Sequence, residues 1–316
     1  MEKVLVTGGT GLVGSAIKKV YNNKYNNYKF IFLSSKDCDL TNLEDTDKLF
    51  EKLKPNYVIH LAANVGGLFK NMNQKVDMFE KNIIINLNVL KCCHNYKVEK
   101  CVSCLSTCIF PDNTTYPINE KMLHNGAPHT SNDAYAYAKR MLEVHSRAYQ
   151  EQYNDNFTCI IPTNIYGPHD NYHLQDAHVI PALIHKCYLA KKENKPFIVW
   201  GSGTPLRQFI YSEDLAELIL WTLFETKEKE PIILSVSEED EISIADVAKL
   251  ISKEFDYRLE FDATKSDGQF KKTADNSKFK KLYQDSIGST YKFTSMKEGI
   301  NKSVKWFIDN YNNARK

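Results

Sequence analysis

The sequence predicts an α/β protein: a doubly wound parallel sheet followed by a smaller, mixed α/β C-terminal lobe. Three observations carry that expectation. Short apolar runs alternate with helix-period segments through the first half of the chain, the pattern of βαβ units. A glycine cluster, Gly8 to Gly14, stands at the first strand–helix junction. Past Pro162 the texture changes, as Gly167-Pro168, Pro181, Gly201, Gly203 and Pro205 interrupt shorter and mixed strands.

Taken in order, Val4-Leu5-Val6 reads as a buried strand and about Leu12 to Tyr21 as a helix. Phe30 to Leu33 is the next strand. Leu43 to Leu53 has a helical period that Pro55 ends, and Tyr57 to Leu61 is again a strand. A long helix is expected from about Asp77 to Tyr96, then a strand over Cys101 to Leu105. Phe110 to Asn132 is rich in Pro, Asn, Thr and Gly, hence a loop. A helix from Asn132 to about Tyr153 and a strand over Phe157 to Ile161 complete the first domain, residues 1–166. Residues 167–316 are expected to form mainly the second lobe, with about 205–236 returning to the first. Such a lobe would close near the strand ends, where α/β sheets bind ligands.

At 316 residues the chain exceeds one typical domain, and 42% hydrophobic content suffices for a substantial core. No run approaches the ~20 apolar residues of a membrane span. Met1-Glu2-Lys3 leads straight into a strand, so no signal peptide is expected. A net charge of +2 with scattered basic residues argues against nucleic acid as a partner. Eight cysteines include one Cys101-x-x-Cys104 pair, but no second pair returns to complete a metal site. Reduced thiols in a cytoplasmic protein are the expectation.

The glycine cluster Gly8-Gly9-Thr10-Gly11-Leu12-Val13-Gly14 gives Gly-x-x-Gly-x-x-Gly between strand and helix. Such a Rossmann-type junction needs a sharp turn, backbone close enough to touch a pyrophosphate, and helix N–H groups aimed at the anion. Gly8 and Gly11 are expected to serve the turn and the approach, and Gly14 the packing of helix on strand. The spacing departs from G-x-G-x-x-G. Sites for NAD usually end the second strand with Asp or Glu, to bind ribose hydroxyls. Here Leu33 leads into Ser34-Ser35-Lys36, hydroxyls and a cation that would attract a 2′-phosphate, so NADP(H) is the expected cofactor. The bland alternative for Lys36 is a surface lysine. Asp39 falls where an adenine amino group could be met, and Leu61-Ala62-Ala63 is a small-residue strand end beside which a cofactor can lie close.

Hydride transfer to a ketone leaves an oxyanion that must be protonated. In Tyr135-Ala136-Tyr137-Ala138-Lys139 the four-residue spacing puts Tyr135 and Lys139 on one helix face. Lys139 is then expected to pull the phenol down from its usual ~10 and to hold the nicotinamide ribose. Ser106, ending the preceding strand, could hydrogen-bond the same substrate oxygen. A tyrosine and lysine so spaced also occur by accident on amphipathic helices; the order glycine turn, serine, tyrosine, lysine is what gives them weight.

With these motifs the chain resembles the extended short-chain dehydrogenase/reductase family, and within it the GDP-L-fucose synthases, nearly end to end. The most specific pieces are His60-Leu61-Ala62-Ala63 with Val65-Gly66-Gly67, Leu105-Ser106-Thr107-Cys108-Ile109-Phe110-Pro111, and Pro162-Thr163-Asn164-Ile165-Tyr166-Gly167-Pro168-His169-Asp170-Asn171. His178 to Ile184, Val199 to Pro205 and Lys265-Ser266-Asp267-Gly268 complete the set.

The resemblance implies epimerisation of GDP-4-keto-6-deoxy-D-mannose at C3 and C5, then reduction of its C4 ketone by NADPH. One oxygen site, Ser106 with Tyr135, would serve each enolate and the final alkoxide. Epimerisation needs a base and an acid on opposite faces of the sugar. Cys108 lies two residues past Ser106 and shares its face if the strand continues; its thiolate is the candidate base, and His178 is the matching acid by resemblance. The plain readings are a packed cysteine and a polar residue beside a helix start. The resemblance also places Pro162, Thr163, Asn164, Ile165 and His178 at the cofactor, and Lys186, Trp200, Arg207 and Asp267 at the nucleotide sugar. Arg207 could grip a diphosphate bidentately and Trp200 offer a stacking face, against a surface lysine, a core tryptophan and a structural ion pair as the ordinary roles. Phe110 stands where many relatives have Tyr, and is assigned packing only. A homodimer through the helices around residues 77–96 and 132–153 is the family expectation. Competing readings are another nucleotide-sugar enzyme such as a 4-epimerase, which consumes no stoichiometric NADPH, and a non-catalytic NADPH-sensing protein, which has no need of Tyr135.

Overall fold

The computed structural model describes residues 1–265 and 271–316. Its first half runs β1 (Lys3–Thr7), α1 (Leu12–Val20), β2 (Lys29–Phe32), α2 (Leu43–Leu53), β3 (Tyr57–His60), α3 (Leu68–Asn73), α4 (Lys75–Asn95), β4 (Lys100–Cys104), α5 (Asp133–Tyr153) and β5 (Phe157–Pro162). There follow β6 (Asn164–Tyr166), α6 (Val179–Lys192), β7 (Phe197–Trp200), β8 (Leu206–Arg207), β9 (Phe209–Tyr211), α7 (Ser212–Phe224) and β10 (Ile232–Leu234). The chain ends with β11 (Ile242–Ser243), α8 (Ile244–Phe255), β12 (Leu259–Asp262), α9 (Ser277–Ile287) and α10 (Met296–Asp309).

Six strands form one sheet in the order β10-β5-β4-β3-β1-β2, every pair parallel. A strand presents alternate side chains to opposite faces, and both faces here are apolar. Leu5, Val58, Cys101 and Ile161 join one core with Phe50 of α2, Val89 and Leu90 of α4 and Leu142 of α5. Val4, Val6, Ile59, Val102 and Ile160 join the other, with Ile17 of α1 and Leu215, Leu218 and Ile219 of α7. Burial on both sides is why these strands read as near-continuous apolar runs. A third core joins α6, β7, α8 and α10 through Ile184, Phe197, Ile251 and Phe307.

Helix starts follow local chemistry. Asn42 caps α2, its Oδ1 accepting from the backbone N–H groups of Glu44 and Asp45, and Lys54 ends that helix in the left-handed region at φ 45°. Element ends differ from the sequence expectation by a residue or two, α4 starting at Lys75 rather than Asp77. One shift has consequences for the site: β4 stops at Cys104, and Thr107–Ile109 is a 3₁₀ turn. No helix among the described residues is long and apolar enough to cross a membrane.

Candidate active site

A cleft of about 800 Å³ opens at the C-terminal ends of β1, β3, β4 and β5. At its nucleotide end the glycine turn is fixed by contact between backbones. Gly8 has φ +67°, and a Cβ there would stand 2.9 Å from the Ala62 nitrogen. A Cβ on Gly14 would stand 2.6 Å from the Gly8 oxygen, so Gly14 packs the helix onto the turn itself rather than onto the strand. Gly9 is packed against Phe32 and donates to the Leu33 carbonyl at 2.7 Å, which keeps it behind the cleft surface. The Cβ direction of Gly11 meets only the Gly8 oxygen, at 3.3 Å. No side chain caps α1, so its first N–H groups are left to an external acceptor. Close backbone and uncapped donors fit the diphosphate of a dinucleotide.

Thr10, Leu12, Val13 and Asp39 also line the cleft, as do Leu61, Ala62 and Ala63 on its floor. The floor is tied to β1: Thr7 Oγ1 accepts from the N–H groups of Leu61 (3.1 Å) and Ala62 (3.2 Å), and bonds His60 Nδ1 at 2.9 Å. Asp39 accepts from Thr41 through both backbone and hydroxyl, which holds its carboxyl below the usual range. Ser34 and Ser35 face the cleft, although Ser34 donates to Asp37 Oδ2 from its nitrogen (2.8 Å) and its hydroxyl (2.5 Å). Lys36 is exposed and is not part of the lining.

Ser106, Tyr135, Lys139 and His178 line the same cleft, as do Pro162, Thr163, Asn164 and Ile165. Lys139 is buried, donates to the Cys104 carbonyl at 2.8 Å and lies 5.9 Å from the centre of the Tyr135 ring. The expected depression of the phenol is not found. Burial pushes Tyr135 well above its ordinary value, with Cys108 and Cys104 adding to the shift, because desolvation outweighs an ammonium already turned to a carbonyl. Burial lowers Lys139 as well. Asn164 is held by its side-chain N–H bond to the Gln208 carbonyl at 2.9 Å.

The strand argument for Cys108 fails, because the chain turns at Ser106. There the Ser106 oxygen caps the 3₁₀ turn and receives the Cys108 N–H at 3.4 Å. Cys108 thus stands beside Ser106 through a turn, not along a strand, and it is not among the residues facing the main cleft. Burial pushes its thiol up; the hydrogen bond from Ser106 and the charges of Lys272 and Lys139 oppose that shift. His178 directly precedes α6, open to the cleft yet surrounded by enough protein that desolvation lowers its imidazole.

Lys186 and Trp200 are brought together, the ammonium 4.5 Å from the ring centre, with the indole 64% exposed. Arg207 donates to the Leu206 carbonyl at 2.7 Å and is lowered by burial. These three stand apart from the lining of the main cleft. Asp267 lies outside the described residues. Among the described residues no group of three or more His, Cys, Asp or Glu side chains could hold a metal.

This arrangement has known counterparts. Residues 4–236 match the model of the NAD dependent epimerase/dehydratase family. The chain belongs to that family. Within it, the GDP-L-fucose synthase of Dictyostelium discoideum is 60% identical over 99% of this chain and 97% of its own. A probable GDP-L-fucose synthase of Drosophila melanogaster is 51% identical over the whole of both chains. Among solved structures, a GDP-L-fucose synthetase from Naegleria fowleri bound to NADP superposes with a TM-score of 0.95 at 49% identity, covering 100% of this chain and 95% of that one.

Two residues that sequence reasoning passed over act on groups described above. Lys272 is one: it is lowered by burial, and its charge acts on both Cys108 and Arg207. Asn82 is another, exchanging hydrogen bonds with the backbone of Asn64 at 2.9 and 3.0 Å and so fixing the loop after β3. Neither sits in a spacing pattern that could have betrayed it.

Proposed function

We propose that this chain converts GDP-4-keto-6-deoxy-D-mannose to GDP-L-fucose, by epimerisation at C3 and C5 and NADPH-dependent reduction at C4. The observation that carries the reading is the convergence of Ser106, Tyr135, Lys139 and His178 on one cleft with a dinucleotide turn, in a chain 60% identical end to end to a GDP-L-fucose synthase.

The C4 carbonyl acidifies the C–H bonds on both sides of it. Ser106 and Tyr135 hydrogen-bond the carbonyl oxygen, which stabilises each enolate in turn. Cys108, as thiolate, takes the proton from the carbon being inverted and His178, as imidazolium, gives one on the opposite face; exchange of both groups with solvent then restores the pair for the second carbon. NADPH, when bound, supplies the hydride for C4. Tyr135 then gives its phenolic proton to the C4 oxygen, while Lys139 holds the phenolate charge that results. Lys186 and Trp200 receive the guanine end, and Arg207 the diphosphate. Residues 1–166 with about 205–236 bind the cofactor, and the remainder mainly the sugar nucleotide.

The active form is a homodimer of the cytoplasm. Val76, Phe79, Ile84 and Leu87 on α4 and Tyr137 and Met141 on α5 are exposed apolar side chains on two adjacent helices, which suits a second copy packing there. All eight cysteines are unpaired, in keeping with a reducing compartment.

The deciding experiment supplies GDP-4-keto-6-deoxy-D-mannose and NADPH in deuterated water, and reads the product by mass and NMR. Deuterium at C3 and C5 of GDP-L-fucose, with one NADPH consumed per product, is expected. No reaction of the keto sugar, with interconversion of a 4-hydroxy nucleotide sugar and its C4 epimer without net NADPH consumption, would put a 4-epimerase in its place.

A further inference from the structure

The end of the chain is built into the cofactor cleft. Arg315, next to last in the sequence, lines the same cavity as Thr10 to Gly14. Three contacts fasten it there. Its carbonyl accepts from the Tyr172 N–H at 2.7 Å, it forms a parallel bridge with Asn171, and its Nη2 donates to the His169 carbonyl at 2.7 Å. His169 adopts φ +65°, a conformation uncommon outside glycine, with its ring 4.5 Å from that of Trp306. Here a strained residue turns its carbonyl to hold Arg315 in place, and such strain tends to collect at working sites.

Charge and position agree. Arg315 shares the cleft wall with Gly11 to Gly14, where α1 starts at the glycine turn. That turn offers an anion no charged side chain, since Thr10 to Ser15 are all uncharged. Of the other cations lining the cleft, Lys139 is committed to the Cys104 carbonyl and Lys81 pairs with Asp77 at 3.1 Å. Arg315 uses one of its five N–H donors on His169.

A second polar group waits in the same wall. Asp170 is 5% exposed, and while one carboxyl oxygen accepts from the Asn171 N–H at 2.7 Å, Oδ2 is buried without a partner among the described residues. Burial pushes this carboxyl up to about 7, so it can meet an anion as a hydrogen-bond donor rather than as a second negative charge.

The geometry points to Arg315 as a ligand of the cofactor's diphosphate, closing over the anion from across the glycine turn, with the carboxyl of Asp170 as its neighbour on the same group. This assignment rests on the dinucleotide reading of the cleft. It makes the segment around Arg315 part of the cofactor site, and it supplies the positive charge that the turn lacks.

The test compares NADPH with 2′-AMP, which has the adenosine and the 2′-phosphate but no diphosphate. Both are titrated against the parent chain, Arg315→Gln and Arg315→Lys, by nicotinamide fluorescence for NADPH and by calorimetry for 2′-AMP. Loss of a charge-assisted contact predicts NADPH binding weakened about tenfold or more in Arg315→Gln and less in Arg315→Lys, with 2′-AMP affinity held within about twofold. Equal NADPH affinity in Arg315→Gln and the parent would overturn the assignment. So would a matching loss for 2′-AMP, which would mean that Arg315 acts through the fold. A parent chain that binds neither ligand would instead sink the dinucleotide reading itself.

Discussion

Along the glycine turn, position is set by backbone packed on backbone: Gly8 against Ala62, Gly9 against Phe32, Gly14 against Gly8. Around Cys108 the influences are of another kind: the neighbouring Ser106 oxygen receives its N–H, and the charges of Lys272 and Lys139, from distant parts of the chain, act on its thiol. The nucleotide end is therefore rigid before any ligand arrives. At the sugar end the chemistry depends on how each charge is screened, and binding the sugar nucleotide changes that screening. Tyr135 stands between the two, and changing it should be felt on both sides.

Tyr135→Phe is the largest expected effect. Removing the proton donor should slow NADPH oxidation by the keto-sugar by about 10²–10⁴-fold, and slow deuterium exchange through loss of an enolate hydrogen bond. NADPH affinity should hold. Unchanged turnover, followed by NADPH absorbance, would remove the phenol from the reaction and with it the bridge between the two ends.

Cys108→Ser tests the sugar end alone. Exchange at C3 and C5 should fall by roughly 10²-fold or more while NADPH binding and the melting midpoint stay put. Its pH profile carries a sign. Burial raises the Cys108 thiol above its ordinary 9.0 and lowers the His178 imidazole below its ordinary 6.5. The productive pair is thiolate with imidazolium, which has the same proton count as thiol with neutral imidazole. Its population is therefore constant between the two pKa values. Exchange should be level across neutral pH, falling only below the histidine value, where both groups are protonated, and above the cysteine value, where neither is. A narrow bell centred near neutrality would mean that the two pKa values lie close together, against the separation that burial produces.

How far each end could be read from the sequence follows the same division. The glycines, Ser106, Tyr135 and Lys139 are legible because turns and helix faces fix their neighbours within a few residues. The strand placement expected for Cys108 fails: the strand stops at Cys104, four residues short of it, and the serine cap of the turn that follows leaves no periodic trace. The depressed Tyr135 was misjudged because a four-residue spacing says nothing of desolvation or of the Cys104 carbonyl that takes the Lys139 ammonium. Arg315 reaches the cleft, Lys272 the Cys108 thiol and Asn82 the Asn64 backbone only through tertiary packing, so no local pattern announces them.

Gly14→Ala should spoil the nucleotide end and spare the chemistry of the sugar end. Its Cβ would overlap the Gly8 oxygen at 2.6 Å, and neither backbone can yield without moving the turn. Overpacking of this kind costs about 1–3 kcal/mol, so a lower melting midpoint with about five- to hundredfold weaker NADPH binding is expected in thermal unfolding and titration. Normal affinity in Gly14→Ala would mean that the turn is more yielding than its contacts indicate.

Lys36→Glu is the smallest effect, and it asks whether the nucleotide end uses any side-chain charge beyond its backbone at the ribose. A lysine that must reach a 2′-phosphate should line the cleft, and this one is exposed outside the lining, while Asp37 beside it already holds Ser34. Reversing an exposed, mobile charge at that range changes binding by less than about 1 kcal/mol in salt. The NADPH/NADH preference should therefore move by no more than a few-fold, with Ser34 and Ser35 left as the groups that meet the phosphate. A collapse of that preference by a hundredfold would show that Lys36 swings onto the phosphate when the cofactor enters, and that this end of the site is completed by its ligand as the sugar end is.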